Sequence, residues 1–347
     1  MGVKRMRAFW CAGGIALAAA AVHPASADDF YKNRQINFLV GAGTGGGYDA
    51  YVRVLIRHWP DHIPGHPSFN VQYIPAAGGL VAMNTLCNTS PRDGSTIGAV
   101  QNHIGVEPLL GLTGPRENDK YDALKANWIG SATKEVPVVA VWHTTPFKTF
   151  KDIIGKEVLV GSSGVATSDS VYPRVMNKLV GTKFKIVEGY KNNPQLAQAM
   201  EQGEIQGRAG WFLSSLMSTK PDWVQKGEIR LLVQVATEKY PGLDLPLVAE
   251  FTKDTSSRQQ LEFALSPLLM GRPYVAPPGV PADRVKLLRD SFMATMKDPK
   301  LLAEAKRIHL EISPMSGEEI HALLEKQYAA PKAIVDSVRA MMVAQGQ

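Results

Sequence analysis

Residues 36–59 read INFLVGAGTGGGYDAYVRVLIRHW. The apolar run 36–40 has the composition of a buried strand. Seven residues of glycine-rich loop, 41–47, follow it directly. After the loop, Val52, Leu55, Ile56 and Trp59 recur at helical spacing and mark one apolar face. Strand, glycine loop and helix in immediate succession are the building unit of an α/β protein. Outward from this unit the pattern repeats. Short apolar runs at 71–74, 96–100, 128–131, 138–141, 158–161, 184–187, 205–209, 230–235 and 268–275 read as strands. Helical stretches lie between many of them. One starts at Asn193-Pro194, with Asn193 as N-cap, and stops at Gly203. Another runs from Pro281 to about Met296, and a third opens on the capping box Ser316-x-x-Glu319. The alternation predicts an α/β fold with mainly parallel sheets. Seams fall near 131–137 and 236–246. The last third carries helices without a sheet of their own, which predicts a discontinuous first domain, 28–131 with 240–347, and an inserted second one, 132–239.

The first residues belong to a different kind of signal. Lys4, Arg5 and Arg7 precede an apolar run from Ala8 to Val22, and Ala25-Ser26-Ala27 offers a small-x-small cleavage site. This is the layout of a secretory signal peptide over residues 1–27, cleaved after Ala27. The run of about 15 residues is shorter than the ~20 that a membrane span needs. The chain has 347 residues and a formal charge of +6, a value that invites a nucleic-acid reading. Removing the leader takes away three basic residues and no acidic one, so 320 residues of charge +3 remain, with the charges dispersed. Only Cys87 remains as a cysteine, so no internal disulfide can form, and it reads as a small buried hydrophobe. The expected product is a monomer exported to the periplasm that binds no nucleic acid.

Gly41, Gly43 and Gly46 satisfy G-x-G-x-x-G, the dinucleotide fingerprint. The next strand ends in VQYIPAAGG, without the acidic residue that would hold a ribose, so no nicotinamide cofactor is expected. The loop chemistry survives that exclusion. Ala42, Gly43, Thr44, Gly45, Gly46 and Tyr48 place backbone N–H groups at the positive end of a helix, where a carboxylate binds as readily as a phosphate. Asp49 reads as the cap of that helix. A second strand-to-helix junction, GSSGVATSDS at 161–170, supplies Ser162, Ser163, Ala166, Thr167 and Ser168, more hydroxyls than one cap requires. Gln101 and Asn102 follow a strand end, where ligands of α/β sheets sit. Arg208 could clamp a second carboxylate in bidentate fashion, with Trp211 or Tyr190 as an apolar wall. His58, His62 and His66 are spaced by four, but Pro60, Pro64 and Gly65 break the helix that would align them, so no metal site is expected.

The ordered segments GAGTGGGYDA, PAAGGLVAMNTLCNTSPRDGSTIGAV, GSSGVATSDS, VEGYKNNPQLAQAMEQGEIQGRAG and YVAPPGVPADRVKLLRDSFMATMKDP resemble the Bug/TctC receptors, the solute-binding components of tripartite tricarboxylate transporters. The resemblance covers nearly all of the chain after the leader. It implies a type II periplasmic-binding-protein fold, with two α/β domains flanking a ligand cleft. It also implies that the loops 42–48 and 162–168 grip a ligand carboxylate from opposite sides. The sequence departs from the family where prolines are usual in the first loop. It departs again at Ala166, where a glycine is usual, and at Ser170, where a histidine is common.

The expected function is a periplasmic receptor that captures a di-, tri- or aromatic carboxylate and delivers it to membrane transporter subunits, without cofactor or catalysis. Two alternatives stand beside it. One is a secreted hydrolase using Ser163 or Ser168, which requires His103 or His143 beside the hydroxyl. The other is a sensor that presents its ligand to a signalling partner.

Overall fold

The computed structural model describes residues 30–113, 118 and 120–343, together with Met1 and Gly2. The expected leader, 1–27, therefore lies outside the described residues apart from its first two. Eleven strands occur among the described residues: β1 (Gln35–Val40), β2 (Ser68–Tyr73), β3 (Thr96–Ala99), β4 (Asn127–Ser131), β5 (Pro137–Trp142), β6 (Glu157–Gly161), β7 (Lys183–Val187), β8 (Gly207–Phe212), β9 (Ile229–Gln234), β10 (Pro273–Ala276) and β11 (Met315–Ser316). They form two sheets. One is six-stranded, in the order β11-β4-β10-β3-β1-β2. The other is five-stranded, in the order β7-β6-β8-β5-β9.

The expectation of mainly parallel sheets is corrected: both are mixed. β1 runs parallel to β2 and β3, and β6 runs parallel to β7 and β8. β10 is antiparallel to β3 and β4, and β5 is antiparallel to β8 and β9. The reason is the path of the chain. It leaves the first sheet after β4, enters the second as β5, and returns as β10. Each returning strand enters its sheet from the end opposite to that used by the β-loop-α units, so it pairs antiparallel. A second difference concerns 268–275. Pro267 at the start of Ser266–Met270 favours a tight helical turn there, and only Pro273–Ala276 is strand.

Helix ends follow local chemistry. Ser316 and Glu319 form the expected capping box. The helix Asn193–Glu201 is capped one residue earlier than expected, by Asn192, whose side chain accepts the Gln195 amide. That shift leaves the Asn193 side chain available elsewhere. The helices Ala282–Thr295 and Gly317–Tyr328 pack on β4, whereas Thr255–Leu265 and Lys332–Met342 lie against the helix Ser168–Leu179 beside the five-stranded sheet. Around Phe38 the core of the first sheet gathers Trp59, Phe69, Tyr274 and Phe292. No described helix is long and apolar enough to cross a membrane.

The helix Gly47–His58 is tied to the helix Pro299–Arg307 by charge. Glu304 accepts from Arg57 and lies 2.7 Å from His58 Nε2, and Asp298 lies 3.1 Å from His62 Nε2. Two of the three histidines singled out by their spacing, His58 and His62, are therefore partners of carboxylates. The Arg57 hydrogen bond, then His58, holds Glu304 below the usual carboxylate range, and His62 with the Lys300 amide does the same for Asp298. A depressed carboxylate contributes stability that is full above its unfolded pKa and lost as pH falls through the folded one. The melting temperature is expected to drop on acidification from about pH 5 to pH 3. Glu304→Gln should make that drop shallower in a pH series of thermal melts; an unchanged slope would remove Glu304 from the acid response.

Candidate functional site

Two glycine- and serine-rich loops face each other across the junction of the sheets. The first leaves β1 and ends at the helix Gly47–His58, with Gly46 as N-cap. The second leaves β6 and ends at the helix Ser168–Leu179, with Thr167 as N-cap. In each helix the first-turn amides have no partner within the helix, and the positive ends of both point into the same region. Between them lies a cavity of ≈ 120 Å³, well above the ~10–15 Å³ that one water needs. Ala42, Gly43, Thr44, Gly46 and Tyr48 line it from one side, Ser163, Thr167 and Ser168 from the other, and Gln101, Arg208 and Trp211 complete it. An adjoining chamber of ≈ 330 Å³ shares Ala42, Gly43, Gln101, Ser163 and Thr167 and adds Ala166 and the turn around Gly78.

Four expected site residues stand elsewhere. Gly45 turns its amide away from the cavity, to Asp49 Oδ2 at 2.8 Å. Ser162 is fully buried, and its hydroxyl is used inside its own loop by Gly164, Thr167 and Ser170. Asn102 is buried behind the wall; its amide nitrogen donates to the Tyr48 hydroxyl and its side chain to the Pro267 carbonyl. Tyr190 bonds Glu204 and lines neither chamber; the apolar wall is Trp211 with Phe212. Asp49 does not cap its helix in the expected manner. Burial raises the pKa of its carboxyl, but hydrogen bonds from Tyr73, the Gly45 amide and Arg53 outweigh burial and hold it below the usual range. Asp49 is thus the clasp of the first loop.

Arg208 is not the surface residue that arginine usually is. It lies inside β8, 2% exposed, with its Nε and Nη2 both on the Asp169 carboxylate and Nη2 also on Asn193 Oδ1 at 2.9 Å. The bidentate edge expected to clamp a ligand is therefore occupied by Asp169, and only Nη1 is left without a partner. Simple strand alternation would send residues 208 and 211 to opposite faces. A bulge at Gly210 resets the alternation, and the Arg208 guanidinium stacks 4.2 Å over the Trp211 ring. Gly210 is required there: its φ is +128°, and a Cβ would come 2.2 Å from the Ser168 carbonyl.

Sequence reading missed Asp169, Lys191, Asn192, Asn193, Phe212, Ser215 and Arg272, all of which line the inner cavity. Asn193 went unseen because it was assigned as a cap. Arg272 stands just before β10, far in sequence from both loops, and no motif marks it. It is 1% exposed, stacks 4.0 Å from the Tyr48 ring, and places Nε 2.7 Å from Glu135 Oε1. Of the two histidines that the hydrolase alternative requires, one is engaged elsewhere and the other is buried with its Nε2 unpaired. His143 lies against Glu228. His103 is buried near Gly78, and burial pulls its pKa down to about 4. Neither ring bonds Ser163 or Ser168.

The chain matches the family described as tripartite tricarboxylate transporter family receptor, TctC, over residues 68–339. It is similar to a UPF0065 protein from the gbd 5' region of Cupriavidus necator, with 24% identity over 350 residues, 96% of this chain and 97% of that protein. Among solved structures it resembles the periplasmic binding protein BugD (TM-score 0.69, 16% identity, covering 90% of this chain and 99% of that one). It also resembles R. palustris Rpa4515 with adipate (TM-score 0.69, 18% identity, 89% and 97%). At such identities the likeness speaks for the fold, which is that of the type II periplasmic binding proteins.

Two outcomes follow from this geometry. A Cβ on Gly47 would lie 2.2 Å from Ser215 Oγ and 2.7 Å from Arg272 Nη2. Gly47→Ala should destabilise the chain by about 1–3 kcal/mol, and Ser215→Ala in the same chain should restore part of that in a urea titration. Arg208→Ala strands the buried Asp169 carboxylate and should cost about 3–5 kcal/mol; a loss below about 1 kcal/mol, the value of a surface pair, would show that the pair is not held in solution.

Proposed function

Because the chain belongs to the family of tripartite tricarboxylate transporter receptors, we propose that it captures a small organic carboxylate between its two sheets and delivers it to membrane transporter subunits. The observation that carries this reading is the meeting of two helix N-termini, one beside each sheet, on a single cavity. A carboxylate there receives amides and hydroxyls from Gly43, Thr44, Gly46, Gly47 and Tyr48 on one side and from Ser163, Thr167 and Ser168 on the other. Each oxygen accepts several hydrogen bonds, so no charge is buried unpaired. The similar R. palustris Rpa4515, whose structure is with adipate, supports the carboxylate class. Di-, tri- and aromatic carboxylates all belong to it.

The proposed lobes are 28–131 with 240–347 and the inserted 132–239, with the helices Thr255–Leu265 and Lys332–Met342 laid across onto the second lobe. Closure of the lobes around ligand excludes water and strengthens the hydrogen bonds inside. The closed surface then signals occupancy to the transporter. In this reading the leader directs the chain to the periplasm, is removed after Ala27, and leaves a monomeric receptor.

A thermal-shift panel of mono-, di-, tri- and aromatic carboxylates tests the proposal. A true ligand at 100 times its dissociation constant should add roughly 2.7 kcal/mol to stability. A panel that moves the melting temperature of verified ligand-free protein with no compound at all would overturn the reading.

A further inference from the structure

Buried nitrogen donors without a hydrogen-bond partner belong to three side chains around the inner cavity: Nη1 of Arg208, Nη1 and Nε of Arg272, the Nε lying 2.7 Å from Glu135 as an ion pair, and Nε1 of Trp211. Their side chains are 2%, 1% and 1% exposed. A buried donor left unpaired is costly, so a built site of this kind asks for an acceptor-rich group. Loop amides cannot serve, because they are donors themselves. One water accepts from at most two donors, whereas the two oxygens of a carboxylate offer about four acceptor positions and carry the charge that two guanidinium groups favour. The two guanidinium groups arrive from different elements: Arg208 from β8 in the five-stranded sheet, and Arg272 from the segment returning to the six-stranded sheet. Each is oriented by its own buried carboxylate, Asp169 or Glu135, and by an aromatic face, Trp211 or Tyr48. Arg272 Nη2 is further held by Ser214 at 3.0 Å and Ser215 at 3.1 Å. What remains free on each is the Nη1 end.

We infer that Arg272 is a second anion-binding residue of this cavity, one that makes the site selective for ligands carrying a second negative group. The inference rests on the carboxylate reading above. One carboxylate takes the loop amides and hydroxyls; the second acceptor group takes Arg272 Nη1, with Arg208 Nη1 and Trp211 Nε1 beside it. Arg272 also touches both sides of the junction, through Tyr48 on one and Ser214 and Ser215 on the other. A ligand bound to it therefore engages the side chain that spans the lobes.

The test uses matched pairs of dicarboxylate and monocarboxylate of equal chain length: succinate with butyrate, glutarate with pentanoate, adipate with hexanoate. Calorimetry on the leader-free chain should show a preference for the dicarboxylate in at least one pair. Arg272→Met should weaken that dicarboxylate by about tenfold or more and its monocarboxylate partner far less. Arg272→Lys should recover only part of the loss, since an ammonium lacks the planar fork. Because Arg272→Met leaves Glu135 buried and unpaired, the double variant with Glu135→Gln removes both charges together, and the same loss of preference is expected from it. Wild type that binds butyrate, pentanoate and hexanoate as tightly as their dicarboxylates overturns the inference and leaves the carboxylate reading standing. So does a folded variant that keeps the wild-type preference. Failure of every carboxylate to bind overturns both.

Discussion

The contact between Arg272 and Glu135 lies where the two halves of the chain are joined. Glu135 belongs to the link from β4 to β5, and Arg272 ends the segment that returns to β10. Backbone bonds run between the same two segments: the Glu135 amide to the Leu268 carbonyl and the Ala132 amide to the Arg272 carbonyl. Both partners are 3% exposed or less. Burial drives the Glu135 pKa above the ordinary carboxylate value, while Arg272 and Ser214 pull the other way. A buried pair adds little net stability against an apolar substitute, but removing one partner strands the other. Its role is positional. It fixes how the links cross, and with them which residues of each sheet face the cavity.

Around that crossing the loops do two jobs with one set of polar groups. Part of each loop is consumed in holding its own shape: the Gly45 amide on Asp49, and the Ser162 hydroxyl on its neighbours. Only the remainder faces the cavity. The same division holds for Arg208, whose fork holds Asp169 and Asn193. Counting donors along the sequence therefore overstates what a ligand could meet. The glycines have a steric role as well as a conformational one. Gly47 admits Ser215 from across the junction and Arg272 from its own side, both of which any Cβ would push away.

The mixed sheets come from the same crossing. A strand–loop–helix unit that stays on one sheet returns parallel, as β1 does to β3 and β6 does to β8. The strand that follows a crossing from the other sheet runs antiparallel to the neighbours it joins, as β5 and β10 do. Those connecting segments carry the charged residues of the junction.

Much was legible before any coordinate. Apolar runs marked the central strands because a buried strand must be apolar on both faces. Glycine loops and hydroxyl loops marked the two helix N-termini because few residues satisfy those backbone positions. The order of the segments marked the family. Strand ends, the cap at Asn192, strand direction and the true wall of the cavity were not legible. Arg272 meets Tyr48 across more than two hundred residues of chain, and Trp211 joins Arg208 only because a bulge reverses its side. Local sequence determines what each segment can be, since propensity, caps and patterns act over a few residues. Which donors remain free at the site was decided by tertiary structure, because it depends on contacts between residues that have no sequence relation to one another.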